Sequence, residues 1–416
     1  MNPLFKQLSQ TPVFYVTRDI ERAIGISSDI ANFFIISNYS EFAKSLTKTH
    51  KNILLVKSIK KLDTWQLLER PSVKQYINTN KKNIVNILVF KTTKQIERIC
   101  QDNGWKLLNN SAELSGIIEQ KISQMEWAQE HGIASLFLDY RILKCKDIRW
   151  GGEASVLQFN YSHTGSGTIL IDSEKKLQEI QKKFPIRPCR IAQYISGPLF
   201  TNNNVIWDNK VLLGNINYQI TGLKPFTNSV FATIGNDWAL PHKILNKEQM
   251  DQFYNIAKIV GEKMKLDGWR GMFGIDVVMD QKNNMMHLLE INARQPAGTS
   301  FESILQTKNT EKNGINIFVA YLSSLLNIPY QQEKIINIQD GAQIILRNTE
   351  KNTAFKNITN IQMELEKIGI NTIKYDNTAT GSDLLRIQSK QGIMKDHNVF
   401  NDSGKKILNI LNNYVV

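Results

Sequence analysis

The sequence predicts a multidomain α/β and α+β protein, with a doubly wound N-terminal layer and a small C-terminal α+β segment. Three observations carry that expectation. At 416 residues the chain exceeds one compact core, which favours about two to four domains. Its first hundred or so residues alternate short β-branched apolar runs with amphipathic stretches, as parallel strands linked by helices do. Its middle instead pairs apolar runs across turn residues, as antiparallel hairpins do.

Taken in order, "TPVFYVT", "ANFFIISN", "KNILLVKS", "NIVNILVF" and "WKLLN" read as the strands of the first layer. Between them, "RDIERAIGI", "YSEFAKSLTK", "KKLDTWQLLERPSVKQYIN" and "KTTKQIERICQDNG" read as helices. "SAELSGIIEQKISQMEWAQEHGI" reads as one helix, capped by Ser111, with Glu113 in its first turn and Gly132 at its end. A β-rich stretch follows, in which "EASVLQFNY" and "GTILIDS" flank "SHTGSG" and "EKKLQEIQKKF" is helical. "CRIAQYISGPLFTNNNVIWDNKVLLGNINYQIT" has the alternation and turns of antiparallel strands. After the helix "KEQMDQFYNIAKIVGEKMKL", "GWRGMFGIDVVMDQKNNMMHLLEINAR" reads as two strands joined by the polar turn "DQKNN". The tail offers strands "GAQIILRN" and "DLLRIQSK" with helices "NIQMELEKIG" and "DSGKKILNILNNYVV".

Composition narrows the function. No window approaches the ~18 consecutive apolar residues of a membrane helix, and no signal-peptide pattern opens the chain. Three scattered cysteines, Cys100, Cys145 and Cys189, argue against a disulfide framework or zinc cluster and fit a reducing cytoplasm. The net charge of +13 comes from lysine pairs interspersed with Glu, Gln and Asn. With no basic run carrying interleaved aromatics, the charge reads as solubility rather than nucleic-acid binding. No Gly-x-Gly-x-x-Gly follows the first strand and no Gly-x4-Gly-Lys-Ser/Thr occurs, which excludes a standard dinucleotide fold and a P-loop.

The "MMHLLEINARQPAG" window carries the chemistry. Glu290, Asn292 and Arg294 alternate with apolar residues and so share one strand face. With the turn centred near Asn283, Asp276 on the partner strand faces Glu290. Two carboxylates and an amide oxygen are hard ligands suited to Mg²⁺ held jointly with substrate phosphates. Arg294, one step beyond, can grip a phosphoryl or carboxylate oxygen in bidentate fashion. The bland alternative is an edge strand with a solvated salt bridge. "HTGSGT" offers a second phosphate device: Gly165 and Gly167 free the backbone N–H groups, and Ser166 and Thr168 add hydroxyls. Its alternative is a plain hairpin loop.

The order of these parts resembles the ATP-grasp superfamily over roughly residues 10–330, in its carboxylate–amine (amino-acid and peptide) ligase branch. The resemblance implies four segments: 1–118, an N-terminal α/β domain; 119–192, a small lobe with a glycine-rich flap; 193–330, a large lobe with the metal hairpin; and 331–416, a C-terminal α+β segment. It implies ATP bound between the lobes, with Mg²⁺ (Mn²⁺ as the alternative ion) on Asp276, Glu290 and Asn292. Arg294 takes the catalytic position, on the transferring phosphoryl group. Lys121, near the start of a helix, would meet the ATP phosphates, although a surface lysine would look the same. Backbone groups at Gln193, Tyr194 and Ile195 would meet adenine, and Gly165, Ser166, Gly167 and Thr168 would form the flap.

Two departures stand out. Gln158 occupies the strand position where relatives place a second phosphate lysine, with His163 and Arg149 as candidate substitutes. Leu199 falls where relatives place a ribose-binding acid, with Asn202, Asn203 and Asn204 as candidate replacements. The implied reaction joins a small-molecule carboxylate to an amine through an acylphosphate, releasing ADP and phosphate. The other class in play is a regulatory or scaffolding protein that keeps the fold and binds ATP without turnover. Arg347 and Arg386 lie on apolar strands of the tail, where each suits either a substrate carboxylate or an edge salt bridge. Oligomeric state leaves no signature in the sequence.

Overall fold

The computed structural model describes residues 3–26, 30–160, 167–309, 313–331, 333–349, 357–375, 377 and 379–414. Strands β1 (Val13–Thr17), β2 (Phe33–Asn38), β3 (Ile53–Val56), β4 (Asn86–Leu88) and β5 (Lys106–Leu107) form a parallel sheet in the order β3-β2-β1-β4-β5. Every residue of β1, β2 and β4 is buried, because helical layers cover both faces of such a sheet. On one side Phe14, Val16 and Ile36 meet Leu67, Val73 and Ile96 of the surrounding helices. On the other, Tyr15 and Ile35 pack with Phe318 of helix Ile317–Leu325, fastening the layer to the rest of the chain. The stretch "RDIERAIGI" forms a single 3-10 turn, Ile20–Arg22, in place of the expected helix.

A four-stranded antiparallel sheet follows, from β6 (Tyr140–Lys144), β7 (Ser155–Phe159), β8 (Thr168–Ile171) and β9 (Pro188–Gln193), in the order β6-β9-β7-β8. Helix Glu174–Lys183 covers it through Leu177 and Ile180. The largest sheet contains β10 (Leu199–Trp207), β11 (Lys210–Leu212), β12 (Asn217–Thr221), β13 (Thr233–Asp237), β14 (Gly271–Met279) and β15 (Met286–Asn292). After the two-residue strands β16 (Gly314–Ile315) and β17 (Lys334–Ile335), the tail adds β18 (Ala342–Arg347), β19 (Asn371–Lys374) and β20 (Asp383–Ser389) to the same sheet. The order is β15-β14-β10-β12-β13-β18-β20-β19, with β11 on β10. At the β13–β18 junction a Cβ on Gly235 would lie 2.2 Å from the Gln343 carbonyl oxygen, so only glycine fits there.

The hairpin β21 (Met394–Asp396) and β22 (Val399–Phe400) and the last helix, Asp402–Asn412, return to this sheet. Met394, Ile407 and Leu411 join the core that holds Phe200, Tyr218 and Phe253. Buried Asp237 fixes the junction: it accepts from the backbone N–H groups of Ala239, Leu240, Ile393 and Met394 at 2.7–2.9 Å. No helix among the described residues is long and apolar enough to cross a membrane.

The expected single helix from Ser111 is two, Ala112–Glu119 and Ser123–Glu130. Ser111 does cap the first, accepting from the Leu114 N–H, and Gly132 takes a positive φ of 68° beyond the second. Between them Gln120 is extended at φ −73°, ψ 140°. Asn160 holds the break: its Oδ1 accepts from the Ile122 N–H at 2.9 Å, and its Nδ2 donates to Gln120 Oε1 at 2.9 Å. Good helix formers thus lose to a tertiary clasp.

Glu302, on helix Thr299–Gln306, is fully buried and accepts from Asn203 and Asn215. Burial pushes its carboxyl up to about 7. The native state therefore keeps this proton longer than the unfolded chain, so the group removes stability as pH rises from its ordinary range through about 7. Glu302→Gln is expected to raise the melting temperature at pH 8 and leave it nearly unchanged at pH 4. A thermal melt at both pH values checks this.

Candidate active site

The β14–β15 hairpin sets the central geometry. Its turn, with Asn284 at φ 61°, puts Asp276 opposite Glu290 and Gly274 opposite Asn292. A bulge between Asp276 and Val277 shifts the register just beyond the acidic pair. Asp276 accepts from Gln219 Nε2 at 2.7 Å and is also hydrogen-bonded by Thr201 and Asn292. Burial first, and the Glu290 charge second, push its carboxyl up to about 6. Burial pushes Glu290 the same way, but Lys121, Arg294 and Arg190 together hold it below the usual carboxylate range.

The helix break places Lys121. The residue falls in the turn between extended Gln120 and the helix Ser123–Glu130, is 8% exposed, and lies with Nζ 2.5 Å from Glu290 Oε2. A continuous helix would have carried this lysine on a regular helical face, whereas the clasp turns it toward the hairpin. Arg294 donates to Asn292 Oδ1 at 2.7 Å and to Glu119 Oε1 at 2.6 Å, and Glu119 also pairs with Lys91 at 3.0 Å. Glu119, at the end of the first helix of the pair, therefore fixes the guanidinium that the strand face exposes.

Between the small sheet and the large one lies a cavity of about 280 Å³. Val156, Leu199, Val278 and Leu288 give it apolar walls, and Gln193, Tyr194 and Ile195 border it where the chain crosses between the sheets. Gln158 and Thr168 line it as well. Gly167 lies at the start of β8, where its carbonyl accepts from the Phe159 N–H at 3.1 Å. Gly165 and Ser166, expected in the flap, fall outside the described residues, as does His163. Arg149 is exposed and does not line the cavity.

The cavity also holds residues that sequence reasoning missed. Arg190 on β9 lies opposite Gln158 on β7, is 6% exposed, and donates to the Leu289 carbonyl at 3.0 Å. Burial lowers its guanidinium to about 10, which leaves it charged at neutral pH. The signal was present in "PCRIAQ", a strand whose apolar run is interrupted by one cation. His397 and Asn398, from the β21–β22 hairpin, line the cavity too. Asn202, Asn203 and Asn204 do not: they are buried, with Asn202 and Asn204 bonded to each other at 2.7 Å and Asn203 to Glu302. Their amides satisfy one another and a buried carboxyl, which corrects the expectation that they face the ligand.

Arg347 and Arg386 are also accounted for. Arg347 pairs with Asp383 at 3.3 Å across β18–β20, while Arg386 is buried and donates to Tyr375 Oη at 2.9 Å and Gln343 Oε1 at 3.1 Å.

No protein-family model and no curated protein sequence matches the chain. Solved structures do match it over nearly its full length. An N5-carboxyaminoimidazole synthetase from Staphylococcus aureus, solved with ADP, superposes with a TM-score of 0.64 at 11% identity, covering 96% of this chain and 97% of that one. An L-amino acid ligase from Bacillus licheniformis gives 0.65 at 11% identity, covering 97% and 98%. A biotin carboxylase from Campylobacter jejuni, solved as a beta-gamma-ATP complex, gives 0.63 at 12% identity, covering 99% and 92%. The fold is the ATP-grasp arrangement that the order of sequence motifs led us to expect.

Proposed function

We propose that the chain is an ATP- and Mg²⁺-dependent ligase that joins a carboxylate to an amine through an acylphosphate and releases ADP and phosphate. Small molecules, amino acids among them, are its substrates. The observation that carries this reading is the register that sets Asp276 against Glu290, with Lys121 and Arg294 beside them. Phosphoryl transfer needs positioning and charge neutralisation more than a protein nucleophile, and this cluster supplies both. The fold neighbours add support, since one was solved with ADP and another is an L-amino acid ligase.

The acidic pair fits a shared divalent ion. Among the described residues no group of three His, Cys, Asp or Glu side chains could hold a metal alone. Mg²⁺ bound together with polyphosphate takes only one or two protein carboxylates and fills its shell with phosphate oxygens and water. Burial first, and the facing Glu290 charge second, raise the Asp276 carboxyl, and a cation between the two carboxylates would favour its charged form. Asp276, Glu290 and Asn292 would hold Mg²⁺, or Mn²⁺ on the same oxygen ligands, and the ion would supply charge neutralisation for the phosphates.

The chain's own groups do the rest. Lys121 and Arg190 bind phosphate oxygens and Arg294 steadies the transferring phosphoryl group. Backbone groups of Gln193, Tyr194 and Ile195 read the adenine edge from the cavity rim. Gln158 and Thr168, which line the cavity, contact the polyphosphate. A regulatory or scaffolding reading drew on the neutral Gln158 and on the basic net charge; the buried Arg190 opposite Gln158 favours the ligase reading over the first of these.

The test is incubation with ATP, Mg²⁺ and pools of amino acids and small carboxylates, followed by product analysis. ADP and phosphate released only with an active pool support the reading. AMP and pyrophosphate overturn the acylphosphate route.

A further inference from the structure

The order β3-β2-β1-β4-β5 reverses between β1 and β4, so the chain leaves the carboxyl ends of these neighbouring strands in opposite directions. In an open parallel sheet, ligands bind in the crevice at such a switch point. The loop after β1 brings Arg22 there, on the 3-10 turn Ile20–Arg22, and the loop after β4 brings Phe90. The guanidinium carbon of Arg22 lies 4.9 Å from the centre of the Phe90 ring. Both loops are tied to the end of the β14–β15 hairpin. Gln295, next to Arg294, donates its backbone N–H to the Phe90 carbonyl at 3.2 Å and its Nε2 to the Arg22 carbonyl at 2.8 Å. Ser300 Oγ donates to the same Arg22 carbonyl at 3.0 Å, and Tyr15 Oη donates to Gln295 Oε1.

Arg22 is half-buried, and among the described residues it forms no ion pair. Its one side-chain hydrogen bond there, from Nη1 to the Gln295 carbonyl, is long at 3.4 Å. The nearby acids are engaged elsewhere: Asp19 by Lys61, Glu21 by Tyr375 Oη at 2.5 Å, and Glu119 by Arg294 and Lys91. Burial lowers the Arg22 guanidinium from its usual range; Tyr15 and Asp19 oppose this, and the charges of Arg294 and Arg386 add to it. The group stays charged all the same, because arginine keeps its proton in proteins. Guanidiniums from the N-terminal layer, the hairpin and β20 thus bear on one place, and an anion beside Arg22 would answer that excess of positive charge.

We propose that Arg22 binds a carboxylate of the amine substrate, one that takes no part in the reaction, so that the acceptor is an amino acid or a similar carboxylate-bearing amine. The proposal rests on the ligase reading above. A carboxylate suits the site better than a phosphate. A guanidinium presents a two-pronged edge that matches a carboxylate, while the backbone N–H groups of Arg22 and Ala23 are taken by the Asp19 and Ile20 carbonyls and form no phosphate cradle. Position argues for the acceptor. Neither Arg22 nor Phe90 lines the nucleotide cavity, so the crevice meets Arg294 from the N-terminal layer instead. An acylphosphate at Arg294 carries its phosphate on the nucleotide's side, which leaves the side of this layer for the amine. There the nitrogen forms the C–N bond, phosphate leaves with the C–O electron pair, the nitrogen's protons pass to water and phosphate, and the carboxylate on Arg22 is unchanged.

The test uses the full chain with ATP, Mg²⁺ and the active pool, whose product identifies the acceptor. That acceptor is then supplied as the free acid and as its primary carboxamide. The wild type is expected to show a KM about 10- to 100-fold lower for the acid, the worth of one charge-assisted pair. Arg22→Gln is expected to raise the KM of the acid by that factor and to leave those of the carboxamide and of ATP unchanged. If Arg22→Gln fails to fold, Arg22→Lys carries the test: its point charge is expected to raise the KM of the acid several-fold and leave the carboxamide alone. An acceptor with no second carboxylate, or equal use of acid and carboxamide by the wild type, overturns the proposal. So do variants that raise both KM values alike, as loss of the Phe90 contact alone would. Each of these results leaves the ligase reading standing. The absence of turnover with every pool takes away the ligase reading and this proposal with it.

Discussion

Glu290→Gln is expected to lower substrate-dependent phosphate release on the order of 10²–10³-fold, the usual result of removing one preorganised electrostatic group from a transition state. Melting is expected to change as well, because Lys121, 8% exposed, then keeps its charge with no carboxylate at 2.5 Å. Breaking one side of a buried pair costs more than the pair contributes, whereas removing both charges together costs little. The double variant Lys121→Met with Glu290→Gln therefore separates the two roles. It is expected to regain most of the melting temperature lost by Glu290→Gln and none of the turnover. If the pair were only a brace of the β14–β15 hairpin, turnover in the double variant would recover together with stability. Phosphate release and a thermal melt on the same three proteins decide between these outcomes.

How much of this was legible in the sequence depends on how local the cause is. The Asp276–Glu290 facing could be counted outward from a polar turn, since strand register follows from turn position and side-chain period. The bulge one residue further on left no such mark. The parallel layer was legible because its strands are apolar throughout, as burial on both faces requires. The break that aims Lys121 was not, because both helical halves contain good helix formers and the clasp comes from Asn160, well downstream. Nor could the joining of β18 to β13 be read, since nothing near "GAQIILRN" names a partner about a hundred residues earlier. Arg190, His397 and Asn398 reach one cavity from separate sheets and a terminal hairpin, so only the assembled fold puts them together.

Arg190 is where the departure at Gln158 has its largest consequence. The two residues are paired neighbours on β9 and β7, so a cation on either strand serves the same part of the cavity. Arg190→Gln is expected to weaken ATP by about 10- to 100-fold, the worth of a charge-assisted contact to phosphate, while adenosine binding stays near its wild-type value. Restoring the charge from the other strand, with Gln158→Lys in the Arg190→Gln background, is expected to recover most of the lost ATP affinity. A purely structural Arg190 makes the opposite prediction. Its bond to the Leu289 carbonyl at 3.0 Å ties β9 to the strand that carries Glu290. Loss of that tie would lower the melting temperature and weaken adenosine and ATP alike, and a lysine at position 158 would restore neither. Titrations of both ligands against the wild type and the two variants distinguish a cation that reads phosphate from one that holds two sheets together.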